Sequence, residues 1–566
     1  MNVKNSEVKL SQILAFGGFF TAIFVFSDGV TDPVNVTKFL SLGVTGGAVL
    51  GLLAYLKSTG FLRLNVPLVL MSTLFLLFSL VSVLQSESPL VQNLYGAYGR
   101  NNGFFTYLFL VILLIGSSIL REVKSYSRII KGLIYAGIVN MVYCLWVIAF
   151  GDFIGWSNPY GNILGTFGNP NFVGSFLGIF FSVVAAYGFN SEGPKWLKVS
   201  VLPILGLIGF VIVDSSAIQG RVVAALGTGL VVFFFIRSRF GFIVQACYSV
   251  FAIVVGILGI AGALQRGPFT EFIYKTSVSL RGQYWLAGWN TGETNPFFGS
   301  GMDAFGDWYR RTRDVRAIEL PGVNTVVNAA HNVPIDMFAF GGWPLFLTYL
   351  GILSFGVVAI VKLARRTKHY DVISVSLIVA WIGYQVQSII SINQIGLAIW
   401  GWVLTGALVG YEHSTRKNVV RDDRAERRVK VSNRSVAGDS GQLAIYTSLA
   451  SIVGLLIALP PLAADSKWRS AQNLGSVTAI EESMRASLFN PQNSTKYGTN
   501  IQTLEQSGLT DLAHKYALEA TKWNPESYDL WRILYLIQKS TPEERSLALK
   551  NMKRLDPLNP DVTLTS

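Results

Sequence analysis

Long apolar stretches, separated by shorter polar ones, recur along most of the chain. Most are as long as the roughly 17–25 residues that cross a bilayer core as a helix. Only 14% of the 566 residues are charged and 51% are hydrophobic, which is unlike a soluble protein of this length. We therefore predict an all-α polytopic membrane protein with about 12–13 transmembrane helices. The predicted spans are residues 10–28, 37–56, 66–84, 103–120, 132–150, 171–189, 197–213, 221–236, 241–264, 334–361, 371–390, 394–411 and 443–463.

The connections between these spans are alternately rich and poor in basic residues. Short connections rich in lysine and arginine stay on the cytoplasmic side, so we predict a cytoplasmic N-terminus and a retained first span. The net charge of +13 is attributed to this topology, and no nucleic-acid partner is expected. The basic connections contain Lys57 and Arg63; Arg121, Lys124, Arg128 and Lys131; Lys195 and Lys198; Arg237 and Arg239; and Lys362, Arg365, Arg366 and Lys368.

Three longer segments depart from the pattern of short connections, and we place the transmembrane domain at residues 1–464. Residues 265–333 are predicted to be a large extracytoplasmic loop, and 413–441 a basic cytoplasmic linker. The remaining segment, 465–566, is predicted to be an extracytoplasmic helical tail. Asn-Pro or Asp-Pro pairs recur in it at about 34 residues, a period that resembles tetratricopeptide repeats. A helical tail without true repeats is the alternative.

Several arginines lie in connections predicted to be outside. Because basic residues favour cytoplasmic connections, an arginine on the outer side near the bilayer needs a specific explanation. Arg100, Arg221 and Arg281 are three of them. A guanidinium group is always charged and presents a planar fork of donors that suits phosphate. Tyr284 and Trp285 follow Arg281, and such aromatic faces either stack on sugar rings or form an interfacial belt. A further group, Arg310, Arg311, Arg313 and Arg316, is interpreted as contacting lipid headgroups.

His331 is the one histidine, of four, that falls on the predicted outer face at the start of a helix. Asn332 is beside it and Asp336 lies about one turn onward. Nearby cations disfavour protonation of an imidazole, which keeps it available as a base at neutral pH. A capping or interfacial role is the alternative. Because the chain has only two cysteines, both in apolar segments, and no CxxC or HExxH, we expect neither a metal site nor a cofactor.

Four stretches together resemble the O-antigen ligase and polymerase superfamily. They are GTFGNPNFVGSFLG at 165–178, SSAIQGRVVAALG at 215–227, LRGQYWLAGWNTGETNPFFGSGMDAFGDWY at 280–309 and AHNVPIDMFAFGG at 330–342. The resemblance covers most of residues 90–410, including the large outer loop. It implies a GT-C-like membrane glycosyltransferase fold and a metal-independent transfer that inverts the anomeric carbon.

The resemblance also implies roles for particular residues. Arg221 and Arg281, with Arg100 on the shorter motif GRNNG, would bind the diphosphate of an undecaprenyl-linked glycan, and His331 would act as the catalytic base. One departure is Phe340, which stands where many members carry an acidic residue. The residues expected to support the site are Asn332, Asp336, Tyr284, Trp285, Asn169 and Asn171.

The predicted function is transfer of a lipid-linked glycan to an acceptor hydroxyl at the outer face of a bacterial cytoplasmic membrane. The acceptor would be a glycan, a glycolipid or a protein. A polymerase of lipid-linked repeat units and a protein O-oligosaccharyltransferase are alternatives within the same chemistry. A transporter of lipid-linked glycans is the alternative that is not an enzyme. It predicts ionisable residues at mid-span and inverted repeats, and neither is clear in the sequence.

Overall fold

The computed structural model describes residues 3–190, 192–416 and 440–563, and most of the predicted linker 413–441 lies outside them. The secondary structure of this part of the chain is helical, apart from one isolated bridge between Ser487 and Asn490. Ten of its helices are long and apolar enough to cross a membrane. The prediction of an all-α polytopic membrane protein is confirmed.

The helices that carry the transmembrane domain and its large loop are numbered in chain order. They are α1 Val3–Ile23, α2 Asn35–Ser58, α3 Val66–Gln85, α4 Leu90–Tyr95, α5 Phe104–Ser118, α6 Val123–Phe150, α7 Pro170–Gly188, α8 Lys195–Asp214, α9 Ile218–Arg239, α10 Phe242–Ala263, α11 Thr270–Ile273, α12 Thr276–Thr294, α13 Phe305–Thr312, α14 Val333–Arg366, α15 Val372–Ile390 and α16 Ile395–Ser414. The tail and the span before it comprise α17 Ser440–Leu474, α18 Val477–Met484, α19 Ser494–Gln506, α20 Thr510–Trp523, α21 Tyr528–Leu536, α22 Pro542–Leu555 and α23 Pro560–Thr563.

Each of the thirteen predicted spans overlaps a helix, and ten of these helices are clear candidate membrane spans among the described residues. Helix α5 has only 15 residues. Helix α1 carries Glu7 and Lys9 in its first half, whereas α8 is 20 residues long and mostly apolar. The described residues therefore contain ten clear candidate spans where the sequence predicts twelve to thirteen.

Helix α16 lies at the centre of the bundle, and every residue of its most apolar window is buried. Its Trp400 is 1% exposed, and the helix packs against α1, α5, α14 and α15. Helix α10 is the opposite case, because no residue of its apolar window is buried within the protein. A helix that is apolar all round and uncovered by protein suits contact with lipid.

Small residues bring α17 very close to α2. Gly43, Gly47 and Gly51 of α2 face Gly454 and Ala450 of α17, and a side chain at Gly47 would overlap the carbonyl oxygen of Ala450. This spacing of small residues lets two helix backbones approach within a membrane. The helix that carries the tail is thus fixed against the second span.

Helix α14 is not the single straight helix that the span 334–361 predicts. Its backbone leaves helical geometry at Gly341 and Gly342, where φ is −138° and +61°. Ser300 N–H donates to the freed carbonyl of Ala339 at 2.8 Å, and Gly301 N–H donates to that of Phe340 at 3.0 Å. The large loop therefore caps the break and holds the first two turns of α14 in place.

The tail is bound to the large loop through buried ion pairs. Arg313 contacts Asp556 at 2.7 Å with both side chains 0% exposed, and Arg310 reaches the same carboxylate at 2.9 Å. Arg311 contacts Glu526 at 2.7 Å. The interpretation of these three arginines as headgroup contacts is wrong, because their charges are matched by tail residues.

The tail itself consists mainly of two consecutive helix pairs, α19 with α20 and α21 with α22. Ala517 and Ala548 lie in its core at 1% and 0% exposure, where a small residue allows helices to pack closely. Before them, α18 is only 8 residues long. A tetratricopeptide array remains a prediction.

Candidate functional site

A cavity of about 710 Å³ opens at one end of the helical bundle. Every connection that the basic-residue pattern predicts to be outside contributes to its wall, and so does the end of α17. None of the described lining residues comes from a connection predicted to be cytoplasmic. One lining residue from each of these seven regions, in chain order, is Asp32, Arg100, Asn169, Gln219, His331, Asn393 and Arg469.

Helix α12 places Arg281 on the same face as the residues that pack against the His331 segment. Arg281, Tyr284 and Gly288 are spaced three and four residues apart, so they share one face of the helix. The Tyr284 ring lies 5.3 Å from the His331 ring. A side chain at Gly288 would stand 2.8 Å from the Ala330 Cβ. The missing side chain therefore allows α12 to approach this segment closely.

His331 lies in a constrained turn just before α14. Its φ is +58°, a left-handed conformation that is uncommon for a residue with a side chain. Asn332 caps α14 by accepting from Ile335 N–H at 3.0 Å, and Asp336 accepts from Ala330 N–H at 2.7 Å. Trp285 Nε1 donates to the His331 carbonyl at 3.4 Å. These contacts hold the backbone on both sides of the histidine and leave its ring at the cavity wall.

The surroundings of His331 favour the neutral imidazole. Its pKa is lowered to about 3, first by burial and then by the positive charges of Arg100 and Arg281. Both effects disfavour a second proton on the ring. At neutral pH the side chain therefore has a free nitrogen lone pair that can accept a proton.

Arg100 is carried by a short loop that Asp303 organises. The Asp303 Oδ2 atom accepts from Ala97 N–H at 2.8 Å and from Asn102 N–H at 3.1 Å. Burial raises the pKa of Asp303 to about 6, while Arg100 and the two N–H groups oppose that rise. A residue of the large loop thus determines the position of a cation that belongs to the connection before α5.

Two guanidinium groups at the cavity have unused donors. In the part of the chain that the structure describes, Arg100 Nη1 and Arg281 Nε are buried and donate no hydrogen bond. Leaving a charged donor unpaired and buried is costly, so such groups point to an anionic partner. Arg469, half-buried at the end of α17, adds a third arginine to the same wall. Asp32 is the one carboxylate among the described lining residues.

Asparagines and aromatic residues form another part of the cavity wall. Asn169 caps α7 by accepting from Asn171 N–H at 2.9 Å, and its amide donates to the Tyr160 hydroxyl at 2.9 Å. Trp156 and Asn171 line the cavity beside them. In the Gly-Asn-Pro-Asn motif, Pro170 occupies the first helical position. Proline suits this position because the N–H group that it lacks would have no partner within the helix. This motif therefore begins a helix and presents two amides to the cavity.

Ten site residues were proposed from the sequence, and the structure places five of them in the cavity wall. These five are Arg100, Arg281, His331, Asn169 and Asn171. Tyr284, Trp285, Asn332 and Asp336 lie behind the wall and contact the His331 segment. Arg221 is exposed, and its guanidinium donates to the Val213 carbonyl at 3.2 Å. It is not among the lining residues, so its assignment to the diphosphate stays a prediction.

Asp303 and Arg469 were not predicted from the sequence. Arg469 follows the thirteenth predicted span on the outer side, so the argument applied to the other outer arginines would have included it. Asp303 gives no such signal, because its partners are 201 and 206 residues away. Among the described residues, no three His, Cys, Asp or Glu side chains gather as metal ligands.

Comparison with known protein families finds one match. Residues 202–350 match a family described as O-antigen ligase, and this stretch is an O-antigen ligase domain. It runs from within α8 into α14 and contains Arg221, Arg281 and His331. The match is narrower than the resemblance over residues 90–410, since Arg100 and the Gly-Asn-Pro-Asn motif lie outside it. No curated protein matches the chain.

Proposed function

We propose that this protein transfers a glycan from a lipid diphosphate carrier to an acceptor hydroxyl at the outer face of the cytoplasmic membrane. Its O-antigen ligase domain supports glycan transfer of this general kind. The observation that carries the specific proposal is the cavity in which unpaired arginine donors adjoin a neutral histidine. An undecaprenyl carrier, inversion at the anomeric carbon and independence from metals are parts of this proposal.

Arg100 and Arg281 are proposed to bind the donor diphosphate, with Arg469 as a third contact. Diphosphate becomes a better leaving group when fixed positive charges neutralise the charge that grows on its oxygen. Guanidinium groups in a partly enclosed site interact more strongly with phosphate than they would in water. Because the cavity lies at one end of the bundle, its anionic ligand can stay near the membrane surface while the lipid chain remains in the bilayer.

His331 is proposed to take the proton from the acceptor hydroxyl. The acceptor oxygen attacks the anomeric carbon, a new glycosidic bond forms, and the bond between that carbon and the diphosphate oxygen breaks. The imidazole receives the hydroxyl proton and later releases it to solvent or to the departing diphosphate. A positioned base of this kind contributes roughly 10²–10⁴-fold to the rate.

The donor is expected to make His331 a stronger base. A pKa of about 3, caused first by burial and then by Arg100 and Arg281, makes the ring a weak base before the donor binds. A bound diphosphate offsets these positive charges and so raises the pKa of the imidazole, while burial, the larger influence, continues to lower it. Proton transfer is thereby easier when the donor is present.

The direct test is reconstitution in liposomes with a lipid diphosphate-linked oligosaccharide. We expect glycan transfer to a separate acceptor, with loss of the lipid-linked donor, as measured by mass spectrometry. A ladder of lengthening lipid-linked products would instead identify the polymerase. Movement of intact donor across the bilayer without a new glycosidic bond would contradict the proposal and favour a transporter.

A further inference from the structure

A second cavity, of about 160 Å³, lies between the tail and the loop before α5. Tyr98 lines both this cavity and the larger one. Along the same loop, Arg100 faces the larger cavity and Asn101 the second one. A single loop of six residues, 96–101, thus separates two sites.

The two cavities differ in charge. Four aspartates, and neither lysine nor arginine, are found among the described residues that line the second cavity. The larger cavity has three arginines and one aspartate. Phosphate is therefore repelled from the second cavity and attracted to the first. The four aspartates are Asp303, Asp307, Asp465 and Asp529.

Two buried amides in the second cavity have an unused acceptor oxygen. Asn101 is 5% exposed and Gln492 is 4% exposed, and in the described residues neither side-chain oxygen accepts a hydrogen bond. Their orientations are fixed, because the Gln492 amide donates to Ser483 and Asn490 carbonyls and the Asn101 amide donates to the Tyr95 carbonyl. Both oxygens therefore call for a ligand that donates hydrogen bonds.

Aromatic rings complete this wall. Trp468 and Tyr98 pack edge to face with ring centres 5.2 Å apart, and Trp468 Nε1 donates to Asn500 at 3.2 Å. Asp465 accepts from the backbone N–H groups of Thr31 and Asp32 at 2.7 and 2.8 Å. The end of α17 is thus bound both to the tail and to a loop of the larger cavity. An aromatic face beside hydrogen-bond acceptors is a combination that suits a hydroxylated sugar ring.

We infer that this second cavity binds the acceptor as an uncharged or amino-bearing sugar, whose hydroxyl is presented to the larger cavity past Tyr98. This inference rests on the proposed function, since it assigns the acceptor to the same transfer. It also gives the tail a role, because Gln492 and Thr495 of the tail segment form part of the wall. The acceptor is therefore recognised by a glycan-binding site in which the tail adds to Asp303 and Asp307 of the O-antigen ligase domain.

The test uses the full-length protein in detergent with methyl β-glucoside as the probe, observed by saturation-transfer NMR. Thr495→Trp fills the cavity from an exposed position of α19, so we expect the glucoside signal to be lost. Thr503→Trp, also exposed on α19 but away from the cavity, is the matched control and should keep the signal. Gln492→Met removes one acceptor oxygen and should weaken binding roughly three- to tenfold.

Inorganic pyrophosphate serves as an independent probe of the larger cavity. Its binding should fall in Arg281→Ala and remain unchanged in Thr495→Trp. Loss of the Arg281 effect would count against the proposed function, whatever the glucoside does. The acceptor inference alone is overturned if Thr495→Trp binds the glucoside like the control, if methyl glucuronide binds as well as the uncharged sugar, or if only a serine-containing peptide binds there.

Discussion

At the scale of single residues, the site depends on how burial and charge act on His331. Burial is the larger influence on its pKa, and the two arginines act in the same direction. An ordinary histidine with a pKa near 6.5 is about nine-tenths protonated at pH 5.5. A ring whose pKa is near 3 remains neutral at that pH, and it begins to gain its proton only as the pH falls towards 3.

The first prediction concerns the pH dependence of kcat/KM, which reports groups of the free enzyme. The prediction is made for the Asp303→Asn variant, because the pKa of Asp303 is itself raised to about 6 and its titration would overlap the measurement. Asparagine keeps a side-chain oxygen that can accept from the N–H groups of Ala97 and Asn102. We expect this variant to lose little activity between pH 7.5 and 5.5. Adding Arg281→Gln should shift the acid limb upwards, since one positive charge is removed. An acid limb centred near 6.5 in Asp303→Asn alone would contradict the proposed environment of His331.

The roles of individual side chains could be predicted from the sequence where the predicted topology placed an ionisable residue on an unexpected side of the membrane. Arg100, Arg281 and His331 stood out because charged or ionisable groups on the predicted outer face required an explanation. Asp303 could not be found this way, because its function depends on contacts with Ala97 and Asn102 that only the fold creates. Arg310, Arg311 and Arg313 were misinterpreted for the same reason, since their partners lie in the tail.

At the scale of elements, the sequence located the helices better than it described their shape. Hydrophobic length alone identified the region of α14. The break at Gly341 and Gly342 could not be inferred from that pattern, because a glycine pair is compatible with an intact transmembrane helix. The break becomes stable only through the capping contacts of Ser300 and Gly301.

The second prediction tests the close approach of α12 to the His331 segment. Gly288→Val should move the helix away from Ala330 and Ile335, whose atoms lie 2.8 Å from the position of an added Cβ. We expect transfer to fall at least about tenfold, as misplaced reacting groups commonly cause larger losses. Gly282→Ala is the control on the same helix, since nothing lies within 4 Å of its added Cβ. Equal activity in these two variants would argue against this account of α12.

At the scale of the whole molecule, the tail is an integral part of the end of the bundle at which the cavities lie. It closes one cavity and is bound through Arg313 and Asp556, both fully buried. The sequence predicted a helical tail on the outer side but not its contact with the large loop. Opposite charges such as Arg313 and Asp556, which are 243 residues apart, leave no local pattern in the sequence. The general architecture was predictable, whereas the relation between its parts was not.

The third prediction concerns this docking. Arg313→Ala leaves Asp556 with Arg310 as its remaining cationic partner, so the loss should be smaller than the roughly 3–5 kcal/mol that breaking a buried pair outright typically costs. We expect limited proteolysis to release the tail faster in this variant than in the wild type. Lys539→Ala, which removes a largely exposed pair with Asp511, is the control and should behave like the wild type. A tail equally resistant in all three proteins would show that this ion pair does not hold it in place.

The fourth prediction concerns sidedness. In a Cys247→Ser background, which keeps only the buried Cys144, a cysteine introduced at Glu271 in the large loop or at Ser507 in the tail should react with an impermeant reagent from outside. Both positions are exposed, and the native Cys247 must be removed because it is exposed as well. A cysteine at Ser58, an exposed position at the opposite end, should react only after permeabilisation. The reverse pattern would invert the predicted topology.

The most direct test of the central claim separates donor binding from chemistry in the reconstituted protein. Arg281→Ala should weaken donor binding roughly ten- to a hundredfold, and Arg281→Lys should rescue it poorly because an ammonium group lacks the planar fork. Arg266→Ala, at an exposed position of the same loop outside the cavity, is the control and should bind normally. His331→Ala should bind donor like the wild type while turnover falls roughly 10²–10⁴-fold. Near-normal transfer by His331→Ala at wild-type protein levels would contradict the account and leave that histidine with a structural role.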